Sequence, residues 1–381
     1  MTSAKRNIAL FTSSRADFYP ALPLIQRLAT HSEFNLQLLV GGGHLLTSQG
    51  NTINDIKKLG FTPFFSFPFI DDNKTETLSE ISLRVSYQAV DFFRKNHPEL
   101  LFILGDRYEL LPFSTAAFFS ETTIAHISGG DVTLGAIDNN IRNAVSMLSS
   151  WHFPGTPESK ERLIGMGICE NNVCMCGELG IESICTTKLL TKTKLLENLG
   201  LKAVENIITC TFHPETINNQ ITLNFVELVI KFLANSGNHT IITTASNFDP
   251  GGEQINQLLK RLSNEIPQVF FFENLGSQMY YSLLKSSMLV IGNTSSAIFE
   301  SQSFNIPAIN IGERQKGRIL NPNTISCEAN LSEVEKAYQK ALSNEFKESY
   351  YGKKNYYGEG NASSIIVDFL EKRVFSKQYT L

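Results

Sequence analysis

Short apolar segments recur along the chain, each followed by a polar or glycine-rich break and then by a segment of helical periodicity. Most apolar segments are continuous rather than alternating, which is typical of parallel strands buried on both faces. They are NIALFTS, FNLQLLVGGG, LLFILGD, TTIAHISGG, NIITCTF, HTIITTAS, QVFFFEN, SMLVIGN and PAINIG. Between them lie helical patterns such as YPALPLIQRLATH, YELLPFSTAAFFSE, LNFVELVIKFLANS and SEVEKAYQKALS. This alternation predicts an α/β fold with parallel sheets and right-handed crossovers.

The pattern falls into two blocks, so we expect two doubly wound, Rossmann-like domains that face each other across a cleft. The first domain is predicted over residues 1–180. The second is predicted over 181–360 and opens with a strand at Ile207, after the charged segment TKLLTKTKLLENLGLKAVE. A last amphipathic helix within 361–375 is predicted to pack back on the first domain. The length of 381 residues fits about two domains of ordinary size.

The composition and net charge favour a globular protein and argue against nucleic acid or a membrane as partner. The chain has 42% hydrophobic and 18% charged residues, which fits a soluble globular protein with a full core. A net charge of −4 gives no electrostatic basis for nucleic acid or an anionic membrane as partner. No apolar run approaches the roughly 20 residues that span a bilayer. The first apolar segment is interrupted by Arg15 and Asp17, which favours a strand over a secretory signal and predicts a cytoplasmic protein.

The six cysteines are too few for a disulfide framework in a chain of this length. Cys169, Cys174 and Cys176 cluster, but no second pair of ligands at zinc spacing accompanies them. We therefore expect free thiols in a reducing compartment and no metal site.

Side chains capable of chemistry follow the predicted strands, and ligands of doubly wound sheets bind beyond the carboxyl ends of the strands. The first block offers Ser13, Ser14, Arg15, Asp17, the run Gly41–His44, Asp106, Arg107, Ser128, Asp131 and Asp138. The second offers His213, Glu215, Asn247, Asp249, Gly251, Gly252, Glu273, Asn274, the run Gly292–Ser296, Glu313, Arg314 and Arg318. The acids of the first block are candidates for catalysis. The simpler alternative is that Asp131 and Asp138 only cap turns and helices.

The segment VIGNTSSAIFES predicts a strand, a turn and a helix in the second block. Backbone N–H groups near Ser295 and Ser296 would favour a diphosphate, and Glu300 could accept hydrogen bonds from ribose hydroxyls. An N-cap with nothing bound is the alternative. His213 ends another strand, and Arg314 could neutralise phosphate unless it belongs to a solvated basic loop. The chain has neither GxxxxGK[ST] nor GxGxxG, which argues against a kinase or an ordinary NAD site.

Taken together, the motifs resemble the UDP-N-acetylglucosamine 2-epimerase family, and more closely its hydrolysing branch, the sialic-acid-pathway enzymes that make N-acetylmannosamine. The motifs are SSRADF (13–18), GGGHLL (41–46), GDRYELL (105–111), HISGGDVTLGAIDNNIR (126–142), FHPET (212–216), SNFDPGG (246–252) and GNTSSAIFES (292–301). Their order and spacing cover nearly the whole chain. The branch assignment rests mainly on RADF, GDR and GGDVTLGAID.

The resemblance implies a fold of the glycosyltransferase-B type with a UDP- or GDP-linked sugar in the interdomain cleft. It also implies a homodimer that requires neither a metal nor a nicotinamide cofactor. The implied reaction is anti elimination of the nucleotide diphosphate across C1–C2 to a 2-acetamidoglucal. Water then adds to C1 and a proton returns to the opposite face of C2. The product would be a sugar of the N-acetylmannosamine type for sialic or nonulosonic acid and surface polysaccharide biosynthesis.

The resemblance also implies roles for individual residues. Asp106 and Asp138 match catalytic acids of the hydrolysing branch, and Asp131 takes a supporting role. Arg15 matches the arginine that contacts the phosphates. Further nucleotide contacts are matched by His213, Ser295, Ser296 and Glu300. The other candidates for substrate or nucleotide binding are His44, Arg107, Ser128, Arg142, Asn247, Asn274, Gly292 and Arg314.

Three positions depart from the family pattern. Ser128 stands where the branch has a glutamate or histidine, Asn139 where it has an acid, and Asn143 where it has a histidine. Three hypotheses therefore remain open. The first is a hydrolysing 2-epimerase of a nucleotide-linked 2-acetamido sugar, including 4-amino or 6-deoxy derivatives. The others are a glycosyltransferase or other nucleotide-sugar enzyme, and a non-catalytic nucleotide-sugar binder. The retained acids favour the first.

Overall fold

The structure is a computed structural model that describes residues 5–72, 74, 76–134, 137–202, 204, 206–215, 221–246, 251–373 and 375. The chain divides into two compact units. The first takes in Met1–Val132, Ile137–Thr186 and Tyr357–Leu381, and the second takes in Thr133–Ala136 and Thr187–Tyr356.

The first unit is built on a six-stranded parallel sheet. Its strands are β1 (Arg6–Thr12), β2 (Phe34–Gly41), β3 (Phe65–Phe67), β4 (Leu100–Leu104), β5 (Thr123–Ile127) and β6 (Trp151–Phe153). Alternate residues of β1 enter different cores, since Ile8 and Leu10 pack on one face and Ala9 and Phe11 on the other. This two-sided burial explains why the strands are continuous apolar segments in the sequence.

The second unit carries another six-stranded parallel sheet. Its strands are β7 (Ile207–Thr211), β8 (Thr240–Thr244), β9 (Val269–Phe272), β10 (Leu289–Gly292), β11 (Ala308–Ile311) and β12 (Thr324–Cys327). The first sheet has the order β3-β2-β1-β4-β5-β6, and the second has the order β12-β11-β10-β7-β8-β9. Counted from its own first strand, each sheet has the Rossmann order, so the predicted α/β class with two doubly wound sheets is confirmed. The strand order reverses between β1 and β4 and between β7 and β10.

Helices connect the strands. They are α1 (Arg15–Thr30), α2 (Ile53–Lys58), α3 (Leu78–Asn96), α4 (Leu110–Phe119), α5 (Asp138–Leu148), α6 (Pro157–Gly165), α7 (Leu179–Thr186), α8 (Lys192–Asn198), α9 (Leu223–Asn235), α10 (Gly252–Glu265), α11 (Gly276–Ser286), α12 (Ser296–Phe299), α13 (Leu331–Ala341), α14 (Asn344–Tyr350) and α15 (Ala362–Glu371). In the described part of the chain, no helix is both long enough and apolar enough to cross a membrane.

The last helix, α15, belongs to the first unit, where it packs against α1 and α7. Ile366 and Leu370 of α15 are buried in the same core as Trp151. A buried carboxylate fixes its first turn, because Glu182 of α7 accepts hydrogen bonds from the backbone N and the Oγ of Ser363, both at 2.6 Å.

Three strands of the structure have no counterpart in the sequence pattern. They are β3, β6 and β12, and each is an edge strand of three or four residues. A segment this short contains too few apolar positions to show a period. In the described part of the charged segment 187–205, the helix is α8: Thr191 caps its first turn, and Gly200, with a φ of +68°, ends it in the left-handed region.

Candidate active site

The ends of β1 and β4, at the switch point of the first sheet, are joined by a buried carboxylate. Glu109 Oε1 accepts hydrogen bonds from Ser13 Oγ at 2.5 Å and from Arg107 Nε at 2.6 Å. Glu109 was not singled out by the sequence, although it lies in the GDRYELL motif. It holds Arg107 at the edge of the sheet where a ligand of a doubly wound fold binds.

The loop after β1 is fixed by Asp17 in the first turn of α1. The Asp17 carboxylate accepts hydrogen bonds from Ser13 N at 2.7 Å and from the Ser14 hydroxyl. Arg15 is the first residue of α1 and is half-buried. The strand end, the helix start and Arg15 therefore form one ordered segment.

His44 lies beneath this segment and is fully buried. Its Nε2 contacts Thr12 Oγ1 at 3.0 Å and its Nδ1 contacts Thr52 Oγ1 at 2.7 Å. Burial lowers the pKa of His44, so the ring is neutral at pH 7. In this arrangement His44 supports the end of β1, and its contact with a substrate stays a prediction.

The glycine pair after β5 permits two helices to approach the strand end. A Cβ added at Gly129 would lie 2.9 Å from Ser146 Oγ of α5. One added at Gly130, whose φ is +80°, would lie 2.3 Å from Ser159 O of α6. Glycine is needed here for both the close packing and the left-handed turn.

Arg142 of α5 contacts two loops that carry predicted acids. Its guanidinium pairs with the Asp106 carboxylate after β4 and donates to the backbone O of Asp131 at 2.9 Å. The Asp131 carboxylate accepts a hydrogen bond from Ser159 Oγ at 2.6 Å. Asp138 lies four residues before Arg142 on α5, and residues so spaced are neighbours on one helix face. Arg142 therefore contacts the carboxylate of Asp106 and the backbone of Asp131, and Asp138 lies one helical turn earlier on α5.

His126 fixes the backbone beneath these acids. Its Nε2 lies 2.8 Å from Gly105 O and its Nδ1 lies 2.9 Å from Ser146 Oγ, so one ring joins β5, the loop after β4 and α5. Burial lowers the pKa of His126 to about 4. The ring is therefore neutral, and its role is to position neighbouring residues.

Ser128 contacts an acid that no sequence motif had indicated. Ser128 Oγ donates a hydrogen bond to Glu178 Oε2 at 2.7 Å. Glu178 directly precedes α7, fifty residues later in the chain. No periodicity or motif in the sequence connects the two positions.

At the switch point of the second sheet, the ends of β7 and β10 are joined by reciprocal hydrogen bonds. His213 N donates to Asn293 Oδ1 at 2.7 Å, and Asn293 Nδ2 donates to His213 O at 2.8 Å. Gly292, with a φ of +136°, has no room for a side chain, since a Cβ would lie 1.9 Å from Thr211 O. Burial and the charge of Arg314 lower the pKa of His213 to about 3, so this ring is also neutral at pH 7.

Glu300 combines burial with an incomplete set of hydrogen bonds. In the part of the chain that the structure describes, its Oε2 is buried and accepts no hydrogen bond. Burial raises the pKa of Glu300, while a hydrogen bond from Ser296 opposes the shift. An external donor such as a ribose hydroxyl would satisfy the buried oxygen.

The helix predicted after Gly292 is present and consists of a single turn. α12 covers only Ser296–Phe299 and passes into a 3₁₀ turn over Ser301–Phe304. One turn of helix has few aligned peptide dipoles, so binding of a diphosphate here depends on individual N–H and hydroxyl groups. Ser295 and Ser296 both lie at the start of this turn.

The remaining candidates of the second unit lie in different places. Arg314 donates to Asn293 O at 3.4 Å and so lies beside the end of β10. Asn274 is exposed after the edge strand β9, where its Oδ1 accepts a hydrogen bond from Gly276 N at 3.1 Å, so it is not brought to the switch point. Asn247 lies outside the described residues. Within the described ranges, no three His, Cys, Asp or Glu side chains are grouped as metal ligands.

Comparison with known proteins gives a consistent family. The model of the family described as UDP-N-acetylglucosamine 2-epimerase matches residues 26–371. A Campylobacter jejuni protein named GDP/UDP-N,N'-diacetylbacillosamine 2-epimerase (hydrolyzing) is 34% identical over 91% of this chain and 90% of its own length. A Legionella pneumophila protein named UDP-N,N'-diacetylbacillosamine 2-epimerase (hydrolyzing) is 30% identical over 96% of each chain. The structure of a Neisseria meningitidis UDP-GlcNAc 2-epimerase bound to UDP-GlcNAc shares the fold, with a TM-score of 0.83, 19% identity, and coverage of 97% of this chain and 100% of that one.

Proposed function

The chain belongs to the UDP-N-acetylglucosamine 2-epimerase family, and we propose that it is a hydrolysing 2-epimerase of a nucleotide-linked 2-acetamido sugar. The observation that carries the proposal is that Arg142 contacts the carboxylate of Asp106 and the backbone of Asp131 at the strand ends of the first unit, with Asp138 one turn earlier on α5. A binder needs no such group of acids, and a glycosyltransferase would use an acceptor pocket instead.

The reaction needs acids on both faces of the sugar. The C2 hydrogen is not acidic, so a carboxylate must approach it within about 3 Å. In the first step the base removes the C2 proton, the C1=C2 double bond forms, and the bond from C1 to the diphosphate oxygen breaks. In the second step water supplies a hydroxyl to C1, and a proton returns to the opposite face of C2. The products are a nucleoside diphosphate and the free 2-epimeric sugar.

The leaving group must be bound as its charge develops. We assign the phosphates to Arg15 and Arg314, with the neutral His213 ring as a hydrogen-bonding partner. Ser295 and Ser296 are further candidates for phosphate contacts. We assign the ribose hydroxyls to Glu300, whose buried Oε2 supports this role.

The names of the relatives narrow the choice of sugar. Both relatives are named for N,N'-diacetylbacillosamine, carried by UDP in one case and by GDP or UDP in the other. We therefore propose a UDP- or GDP-linked 2-acetamido sugar with a second acetamido group as the first substrate to test. Ser128 and Asn143, which replace titratable residues, are consistent with a sugar other than N-acetylglucosamine.

The test is turnover in deuterated water with three substrates: UDP-N-acetylglucosamine and diacetylbacillosamine linked to UDP or to GDP. Free nucleoside diphosphate together with a free 2-epimer that carries deuterium at C2 supports the proposal. Diphosphate released only when an acceptor sugar is present indicates a glycosyltransferase. Tight binding without turnover of any substrate indicates a binder.

We also propose a homodimer that forms through an apolar face of the first unit. Leu83, Tyr87 and Val90 of α3 are 73%, 79% and 52% exposed, and Phe119 at the end of the adjacent α4 is 78% exposed. Exposed apolar side chains grouped in this way are typical of protein interfaces. Light scattering should give the mass of two chains, and Tyr87→Asp should shift it to one.

We also propose that the protein is cytoplasmic. It rests on six cysteines that are all free thiols, as expected in a reducing compartment. Fractionation of the producing cells tests it.

A further inference from the structure

A carboxylate and a hydroxyl form a pair at the carboxyl end of β5. Ser128 donates its hydroxyl proton to Glu178 Oε2 at 2.7 Å, while its backbone N donates to Phe153 O at 3.0 Å. Its φ of +59° lies in the left-handed region, which non-glycine residues adopt at an energetic cost. The left-handed backbone and two hydrogen bonds, one of them to the carboxylate, fix the position of this hydroxyl.

The position of Glu178 depends on neighbouring glycines. A Cβ added at Gly155 would lie 2.0 Å from Glu178 Oε1, so the carboxylate occupies space that only a glycine leaves open. The backbone N of Glu178 donates to Tyr357 O at 2.7 Å. Gly177, with a φ of +84°, allows this approach, since a Cβ there would lie 3.1 Å from Tyr357 O. The site for the carboxylate is therefore built by several segments of the first unit.

The pair lies next to the acids assigned to the reaction. Gly105 N donates to Ile127 O at 3.1 Å, so the loop that carries Asp106 runs beside the residue before Ser128. Asp131 follows Ser128 by three residues in the same loop. Ser128 itself carries no charge, but its hydroxyl is hydrogen-bonded to the carboxylate of Glu178.

We propose that Glu178 is a positioning residue of the hydration step, acting through Ser128; this inference rests on the proposed function. Glu178 orients the hydroxyl so that a lone pair of Ser128 Oγ faces the water that adds to C1 of the glucal. As the oxygen of this water bonds to C1, the C1=C2 double bond opens and its electron pair takes a proton at C2 from an acid on the opposite face. The proton of the water passes to Ser128 Oγ, and the Ser128 proton passes to Glu178 Oε2. The pair replaces a single titratable side chain at position 128.

The decisive measurement is the ratio of 2-acetamidoglucal to free 2-epimer that Glu178→Gln forms. The variant should still release nucleoside diphosphate and bind UDP or GDP as the wild type does. Formation of the free 2-epimer should fall about 100-fold in kcat with little change in KM, and 2-acetamidoglucal should accumulate. Ser128→Ala, which keeps the carboxylate but removes the relay, should give the same division. A merely structural role would lower both steps together.

A rescue variant and a control complete the experiment. Ser128→Asp combined with Glu178→Gln restores a carboxylate at the strand end and should recover most of the hydration rate, since aspartate tolerates the left-handed region. Glu161→Gln, which alters an exposed acid of α6, should behave as the wild type. Wild-type product division in both Glu178→Gln and Ser128→Ala overturns the inference while leaving the proposed function intact. A wild-type protein that releases no diphosphate overturns the proposed function and the inference with it.

Discussion

Arg142 is bonded at once to the carboxylate of Asp106 and to the backbone carbonyl of Asp131. The Arg142 side chain is only 4% exposed, and it joins a loop after β4 to a loop after β5. Several carboxylates within one small region repel each other unless a cation compensates them. The buried guanidinium supplies this compensation and holds two acidic segments in register, with Asp138 one helical turn away.

Asp106→Asn should abolish turnover. An amide cannot exchange the proton that the elimination or hydration requires, and removal of a general acid or base typically costs about 100- to 10,000-fold in rate. Asp106 is not among the residues assigned to the nucleotide, so the affinity for UDP or GDP should stay within a few-fold. Steady-state kinetics and calorimetric titration measure the two quantities. Asp91→Asn, on the surface of α3, is the control, and a fully active Asp106→Asn contradicts the assignment.

Arg142→Lys should lower kcat while preserving the charge. Lysine is a point charge on a flexible stem and lacks the planar fork by which arginine bonds to two acceptors. We expect kcat to fall about 10- to 100-fold, because the loops of Asp106 and Asp131 are no longer held by one group. Nucleotide affinity should not change. Equal kcat values for wild type and Arg142→Lys would mean that only charge compensation matters here.

The sequence predicted the central strands and the residues at their ends because both have a simple physical origin. A strand buried on both faces must be continuously apolar, and the carboxyl ends of parallel strands meet at one edge. This is why Asp106 and Asp131, which are distant in the chain, could be grouped from the amino-acid sequence alone.

The sequence could not predict contacts that depend on packing in three dimensions. Glu178 comes from a loop before α7 and reaches Ser128 across β6, so no local pattern connects them. The role of Asn293 depends on a contact with the backbone of β7. His44 has the appearance of a ligand residue in the sequence, but both of its ring nitrogens contact threonines inside the unit.

Glu300→Gln should weaken nucleotide binding. Burial raises the pKa of Glu300, and its ionised form can accept hydrogen bonds from two ribose hydroxyls. Loss of a hydrogen bond to a charged group corresponds to about 10- to 100-fold in affinity. In the wild type, affinity for UDP or GDP should also fall as the pH is lowered and the carboxyl is protonated.

This pH dependence should be absent in Glu300→Gln. Glu335→Gln, an exposed acid of α13, should keep both the wild-type affinity and its pH dependence. If the affinity for UDP or GDP depended on pH in the same way in the wild type and in Glu300→Gln, Glu300 would not belong to the nucleotide site.

The stability of the first unit should fall as the pH is lowered below about 6.5. Burial lowers the pKa of His126 to about 4 and, together with the charge of His126, lowers that of His152 to about 3. The unfolded chain, with histidines near 6.5, binds protons that the folded state excludes, so acid favours unfolding. Each histidine contributes a slope of up to about 1.4 kcal/mol per pH unit between the folded and unfolded pKa values.

His152→Phe should reduce this slope by the contribution of one histidine. Urea unfolding at several pH values between 4.5 and 7 measures the difference between variant and wild type. His97→Gln, at an exposed position, serves as the control. If the free energy of unfolding had the same pH slope in His152→Phe and in the wild type, His152 would not be excluded from protonation in the folded state.

Glu182→Ala should destabilise the first unit through its last helix. The Glu182 carboxylate accepts two hydrogen bonds at 2.6 Å from the first turn of α15, where it also interacts favourably with the helix dipole. Its removal leaves a buried N–H unpaired, and we expect the free energy of unfolding to fall by about 2 kcal/mol.

Trp151, the single tryptophan of the chain, lies 5.8 Å from Phe369 of α15 between ring centroids, so its fluorescence reports this unit. The urea midpoint followed by Trp151 should fall for Glu182→Ala and fall less for Ser363→Ala, which keeps the backbone donor. It should stay unchanged for Glu197→Ala, an exposed acid of α8. A midpoint in Glu182→Ala equal to that of the wild type would show that α15 is held by its apolar contacts alone.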